Sequence, residues 1–369
     1  MDTMHALRLP VPFPSLRVLS RLNPPLPLRS FLRLTGYRLR PPQPLPHVPL
    51  VNRSATAVLQ RGEARPHQAA RILIESRMGE LPTIVLGGFV PDSTEQVYLL
   101  RGMLLRHGSV YYVNYPRTGF SPDMICAQID DLVEELALRG QSPVILAVSF
   151  GAAILVEWLR RRAASLGPPA IAGAVLVSPV ACHDDIVDPG EARPSTLLGR
   201  ALKPFSGAVV DSAAVERART IFTKMFDAGS KNRAALAGLL SAEELLRLKG
   251  AVTSSIRGID SAGACERVRA LGKLAHPETW ARAGAPLCEA PILILYAERE
   301  DQVMAAHAPT PRVLARDGKL LFPASETRTV AGGESPVQHA SLIFHYYQFL
   351  PHFAGFYRRL KQSKLVLAV

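Results

Sequence analysis

Pro143-Val144-Ile145-Leu146-Ala147-Val148-Ser149-Phe150-Gly151-Ala152-Ala153-Ile154-Leu155 runs from residues of buried-strand type, through one hydroxyl, into small helix-forming residues. The pattern predicts a strand ending at Val148, a sharp corner at Ser149 and a helix beyond it. A serine hydroxyl is a weak nucleophile at neutral pH. It needs an exposed, strained turn, a base within reach and backbone N–H groups aimed at the developing oxyanion. Small flanking residues make such a corner possible. The same residues also fit an ordinary βα turn with a capping serine, so the rest of the chain has to decide.

Outward from this corner the period alternates. Strands are predicted at 55–60, 70–75, 83–86, 109–114 and 171–178, and helices at 93–107, 122–138 and 151–164. In 122–138 the residues Met124, Ile125, Ile129, Leu132, Val133 and Leu136 recur at helical spacing, which sends Asp130, Asp131, Glu134 and Glu135 largely toward solvent. Strand and helix alternating in this way predict parallel strands with helices on both faces. The alternation stops near Cys182 and resumes at 291–296. Between them only helical runs are visible, at 196–202, 213–226, 233–248 and 262–274. A last strand is expected at 326–330, and a terminal helix at 340–349.

The segment Ala147-Val148-Ser149-Phe150-Gly151 resembles the nucleophile elbow of the α/β-hydrolase family, Gly-x-Ser-x-Gly, with alanine in place of the first glycine. The resemblance covers about 52–185 and 286–365. It implies an α/β-hydrolase fold: a mostly parallel twisted sheet with helices on both faces and a helical cap inserted before the penultimate strand. The expected parts are an N-terminal arm (1–50), a first core part (51–185), a cap or lid (186–288) and a second core part (289–369). In this family an acid and a histidine follow the serine in that chain order. The loop Ala297-Glu298-Arg299-Glu300-Asp301-Gln302-Val303 looks like the acid loop. Asp301 is the first choice, with Val303 packing back; Glu300 competes with it, and Asp184 or Asp185 after the preceding strand are further alternatives. Glu298 and Asp185 also read as solvated loop charges. Of ten histidines, His339 alone follows the last predicted strand in a loop, Ala331 to Gln338, and it is the expected general base; His345 and His352 read as packed or surface residues. The resemblance assigns the oxyanion donors to the N–H groups of Phe150 and of Phe89, after the Gly87-Gly88 turn, where many family members carry His-Gly.

The implied activity is hydrolysis of a carboxylic ester or thioester, a small-molecule acyl substrate, through an acyl-serine. Two other readings stay open: acyl transfer by the same three residues, and a catalytically silent binding protein. Serine at 149 speaks against dehalogenases, which share the layout but use aspartate. No phosphate-binding loop, metal cluster or nicotinamide fingerprint appears, so no cofactor is expected.

Composition is that of a soluble globular protein: 48% apolar, 20% charged, with a mean hydropathy of +0.12. Four cysteines (126, 182, 265, 288) without CxxC spacing argue against zinc ribbons and disulfide frameworks. The net charge of +12 is concentrated at the ends: seven arginines against Asp2 give +6 in 1–50, and Arg358, Arg359, Lys361 and Lys364 give +4 in 351–369. A body of only +2, without any nucleic-acid-binding motif, argues against nucleic acid as a partner. The first fifty residues hold eleven prolines, with arginine and apolar residues interleaved. They read either as an extended arm laid on the body or as an anchor for an anionic membrane surface. No secretory signal is apparent, although transit-peptide character fits the arginine richness. The expected location is cytoplasmic, with peripheral membrane contact through the arm as its variant. No apolar run of about 18 residues suggests a membrane span.

Overall fold

The structure is a computed structural model that describes residues 44–367, apart from 166, 168, 208, 209, 211, 231–238, 284, 333 and 334. Its centre is the strand predicted upstream of Ser149. In chain order come β1 (Leu45–Pro46), α1 (Arg53–Gln60), β2 (Arg71–Glu75), β3 (Thr83–Leu86), β4 (Val110–Asn114), α2 (Pro122–Leu138), β5 (Val144–Val148), α3 (Gly151–Ser165) and β6 (Gly173–Val177). Next follow α4 (Leu197–Leu202), α5 (Ser212–Ser230), α6 (Ala242–Gly258), α7 (Ser261–Lys273), β7 (Ile292–Ala297), α8 (Pro309–Leu321), β8 (Ser325–Val330) and α9 (Tyr346–Leu367).

The described strands form one eight-stranded sheet in the order β1-β2-β4-β3-β5-β6-β7-β8. From β4 to β8 all neighbours are parallel; β1 and β2 pair antiparallel at one edge. A period of two decides what each face buries. Ile84, Leu86, Ile145, Ala147, Ala174, Leu176, Ile292 and Ile294 pack with Ile125, Ile129, Leu132, Trp158 and Val313 from α2, α3 and α8. Val85, Leu146, Val148, Val175, Val177, Leu293 and Leu295 pack on the other face with Val97, Leu100, Phe349, Phe353 and Tyr357. Fully burying each Val, Leu, Ile or Phe side chain among these stabilises by about 1.5–3 kcal/mol, which is why these strands read as unbroken apolar runs. All four cysteines are free and buried. Among the described residues no helix is long and apolar enough to cross a membrane.

Several local expectations are corrected. The stretch 55–60 is helical, because the Asp131 carboxylate accepts from the Ser54 and Ala55 N–H groups at the start of α1, a cap supplied from another helix. The same contact overturns the solvated reading of the acidic cluster. Asp131 and Glu135 are buried. Glu135 accepts from the Leu50 N–H and Arg139 and meets His47, so 47–55 is pinned across α2. Residues 1–43, most of the arm and its membrane reading, lie outside the described residues. Residues 93–107 form two short helical turns, Ser93–Gln96 and Arg101–Leu104, not one helix. Ser93 is tied to β4 through its N–H to Asn114 Oδ1 and its hydroxyl to the Val113 carbonyl. The terminal helix begins at Tyr346, not 340, since Ala340 has a positive φ of 52°. Between β6 and β7 the described residues hold the four helices α4 to α7 and no strand, as expected, although part of the run 233–248 lies outside them.

Candidate active site

At the carboxyl end of β5, Ser149 has φ 51°. Its N–H is bonded to the Val177 carbonyl of β6 at 2.8 Å, and its own carbonyl accepts from Ala152 at the start of α3. The turn is tight because Gly151 lies on β3: a Cβ there would stand 2.2 Å from the Leu86 carbonyl oxygen. Glycine is therefore required at 151. Ala147, two residues before the serine, is buried without strain, which explains why the departure from the Gly-x-Ser-x-Gly pattern is tolerated.

His339 reaches this corner from the loop after β8. Its Nε2 lies 2.9 Å from Ser149 Oγ and its Nδ1 lies 2.5 Å from Glu300 Oε2. The sequence-based preference for Asp301 is thus corrected: the carboxylate that meets His339 is Glu300. The reason is register. Arg299 and Gln338 form a parallel bridge, with the Arg299 N–H bonded to the Val337 carbonyl, so residues 300 and 339 follow side by side. Asp301 turns outward, 66% exposed, and is held in a fork by Arg299.

Burial of Glu300 pushes its carboxyl pKa up, but the His339 imidazole, the Ser178 hydroxyl and the Ala297 N–H overcome this and hold it below the usual range. The Ala297 bond is 2.7 Å long. An ionised carboxylate only accepts, so Nδ1 carries the imidazole proton and Nε2 is left to accept from Ser149. Ser178, which sequence reasoning did not single out, has φ 47°, and its Oγ also accepts from the Ala340 N–H. All three described non-glycine residues with positive φ, Ser149, Ser178 and Ala340, therefore stand around this one site. Such costly conformations cluster where geometry is imposed for function.

The alternative acids lie elsewhere. Asp184 is partly exposed, 3.7 Å from His183 and from His276. Asp185, expected as either an acid or a solvated charge, is fully buried and structural. Its carboxylate accepts from the N–H groups of Ala181, Cys182 and Thr310 and from the Thr310 hydroxyl, tying the loop after β6 to the start of α8. His345 is buried and bonded to Ser341, in line with its packed reading.

Phe150 follows the serine, and Phe89 follows the Gly87-Gly88 turn after β3. Their rings stack with centroids 4.5 Å apart. The Gly88 N–H is bonded to Gln96 Oε1, whereas among the described residues the Phe89 and Phe150 N–H groups have no acceptor. Next to this turn Glu95 has one carboxylate oxygen buried without a partner, and burial pushes its pKa up to about 7. A carboxyl with a raised pKa stabilises the fold fully below its unfolded value, near 4.5. That contribution is lost as pH rises through 7. Replacing Glu95 by Gln is therefore expected to raise the melting temperature at pH 8, by up to about 3 kcal/mol of stability, and to leave it unchanged at pH 4.5. Thermal unfolding at the two pH values checks this.

Ser149 and His339 line a cavity of about 700 Å³. Its other walls include Phe222 and Met225 of α5, Val252 and Ile256 of α6, and Ile343 and Phe344. Among the described residues no group of histidine, cysteine or acidic side chains is arranged to hold a metal ion.

No family model and no curated protein matches the sequence. Solved structures do. An esterase from a Rhodococcus species is 19% identical, with 79% of this chain and 96% of that one aligned at a TM-score of 0.51. A thermophilic esterase from Thermogutta terrifontis is 14% identical, covering 79% and 94% at 0.51. A meta-cleavage product hydrolase from Pseudomonas fluorescens is 14% identical, covering 79% and 95% at 0.50. At these identities the likeness speaks to architecture. The chain has the α/β-hydrolase fold.

Proposed function

We propose that this protein is a serine hydrolase that cleaves a carboxylic ester or thioester through an acyl-serine intermediate, with Ser149 as nucleophile, His339 as general base and acid, and Glu300 as the orienting carboxylate. The observation that carries the reading is the unbroken relay at the cavity wall: hydroxyl to Nε2 at 2.9 Å, and Nδ1 to a carboxylate at 2.5 Å. Ser149 Oγ adds to the acyl carbon as its proton passes to His339 Nε2, while Glu300 fixes the tautomer and stabilises the imidazolium. The carbonyl oxygen takes up the negative charge and is received by the Phe89 and Phe150 N–H groups. His339 then returns the proton to the departing alcohol or thiol. A water, deprotonated by the same imidazole, releases the acid and restores Ser149.

The apolar walls that α5 and α6 supply through Phe222, Met225, Val252 and Ile256 suit an acyl chain, while the cavity stays open enough to admit the water that deacylation needs. In this reading the helices α4 to α7 act as the cap over the core. The test is a series of p-nitrophenyl esters of increasing chain length, with the products analysed in the presence of added methanol. Free acid as the main product is expected. A methyl ester in large excess over free acid would replace hydrolysis by acyl transfer, and turnover of none of the esters by the folded protein would remove the enzyme reading.

A further inference from the structure

Arg267 of α7 is 3% exposed, and among the described residues its guanidinium meets no carboxylate. Nη1 donates to the Phe89 carbonyl at 2.5 Å, and Nη2 to the carbonyls of Pro116 at 2.8 Å and Tyr115 at 3.2 Å. The group lies over the Tyr115 ring, 5.7 Å from its centre, and Nε has no partner among the described residues. The acid with the strongest influence on it, Asp92, is engaged by Arg117. Burial lowers the Arg267 pKa to about 10, so it remains a cation at neutral pH. Taking a guanidinium out of water without a carboxylate is costly, and a helix that packed for stability alone would place an apolar residue there.

What Arg267 holds explains the expense. The peptide between Gly88 and Phe89 carries the N–H that is free to face the reacting carbonyl. On one side of that peptide, the Gly88 N–H is held by Gln96 Oε1 at 2.8 Å. On the other, the Phe89 carbonyl is held by Arg267. The stacking of Phe89 on Phe150 limits the remaining rotation. The helix bearing Arg267 is itself firmly seated: Glu266 accepts from the Phe120 N–H, the Asp260 N–H bonds the Arg117 carbonyl, and a Cβ on Gly263 would stand 2.2 Å from that same carbonyl oxygen.

We propose that Arg267 and Gln96 are positioning residues which clamp the Phe89 turn from both sides and aim its N–H at the oxyanion, so that a helix inserted between β6 and β7 completes a site built on β3 and β5. The proposal rests on the serine hydrolase reading. It is tested with Arg267→Lys, which keeps the charge but not the planar fork, and with Gln96→Ala, which leaves α7 untouched. Two quantities are read: kcat and KM on p-nitrophenyl butyrate, and inhibition by an aryl trifluoromethyl ketone, whose serine adduct puts an oxyanion in the hole. Loss of aim is expected to lower kcat about 10- to 100-fold in each variant, with KM changed less than about threefold. Affinity for the ketone should fall in step with kcat. Variants that keep wild-type kcat and ketone affinity would overturn the clamp and leave the hydrolase reading standing, as would a loss expressed wholly as raised KM. A wild-type protein that neither hydrolyses the ester nor binds the ketone would overturn both.

Discussion

Replacing Glu300 by alanine is expected to lower kcat/KM by about 10⁴, the scale at which removing the orienting acid disables other serine hydrolases, while the same change at Asp301 leaves it within about twofold. The contrast between two neighbouring acids is the informative part. Glu300 is reached by the His339 Nδ1 proton, by Ser178 and by the Ala297 N–H. Asp301 stands at the cavity edge with its charge satisfied by Arg299. Without Glu300 the imidazole loses both the fixed tautomer and the counter-charge for its cationic form, so the loss should appear in kcat more than in KM. Because the Glu300 pKa is held below the usual carboxylate range, its protonation disables the wild type only at acid pH, well below neutrality. The steady-state rates of the two alanine variants on one p-nitrophenyl ester decide the assignment. Equal losses at 300 and 301, or a larger loss at 301, would contradict it.

The largest effect belongs to Ser149. Ser149→Ala should cost about 10⁶-fold in kcat, since among the described residues no other hydroxyl is bonded to His339 Nε2 and no acyl-enzyme can form. The remaining rate over water would come from Phe89 and Phe150 N–H groups and from binding in the cavity. Stability should change little, because the strained turn keeps its backbone bonds to Val177 and Ala152. A variant that retained wild-type turnover would end the enzyme reading.

Ser149 and His339 were legible in the sequence because each is defined by the element before it: an apolar strand running into a hydroxyl, and a histidine alone in the loop after the last strand. The acid was not. Glu300 and Asp301 are adjacent, and the bridge between Arg299 and Gln338 that chooses between them joins loops 39 residues apart, which no local pattern encodes. Long-range bonds also account for the other differences. Asp131, Glu135 and Asp185 looked like surface charges because their partners, 47–55 for the first two and Thr310 for the third, are remote in the chain. Thr56 and Val58 gave α1 the composition of a strand, and a carboxylate on α2 tipped it to a helix. Arg267 carried no signal at all: an arginine in an amphipathic helix reads as a surface charge until α7 is seated on the Phe89 turn. The central strands β3 to β7, in contrast, were readable one by one, because burial on both faces leaves unbroken apolar runs, whereas the two-residue edge strand β1 was not expected.

The most direct measurement is active-site titration with a p-nitrophenyl alkylphosphonate, followed by intact and peptide mass spectrometry. The account predicts one phosphonyl group per chain, retained on Ser149 as one equivalent of p-nitrophenol leaves, and labelling slowed by at least about a thousandfold in His339→Ala. No adduct on the folded protein, or an adduct on another residue at the wild-type rate when Ser149 is alanine, would contradict it.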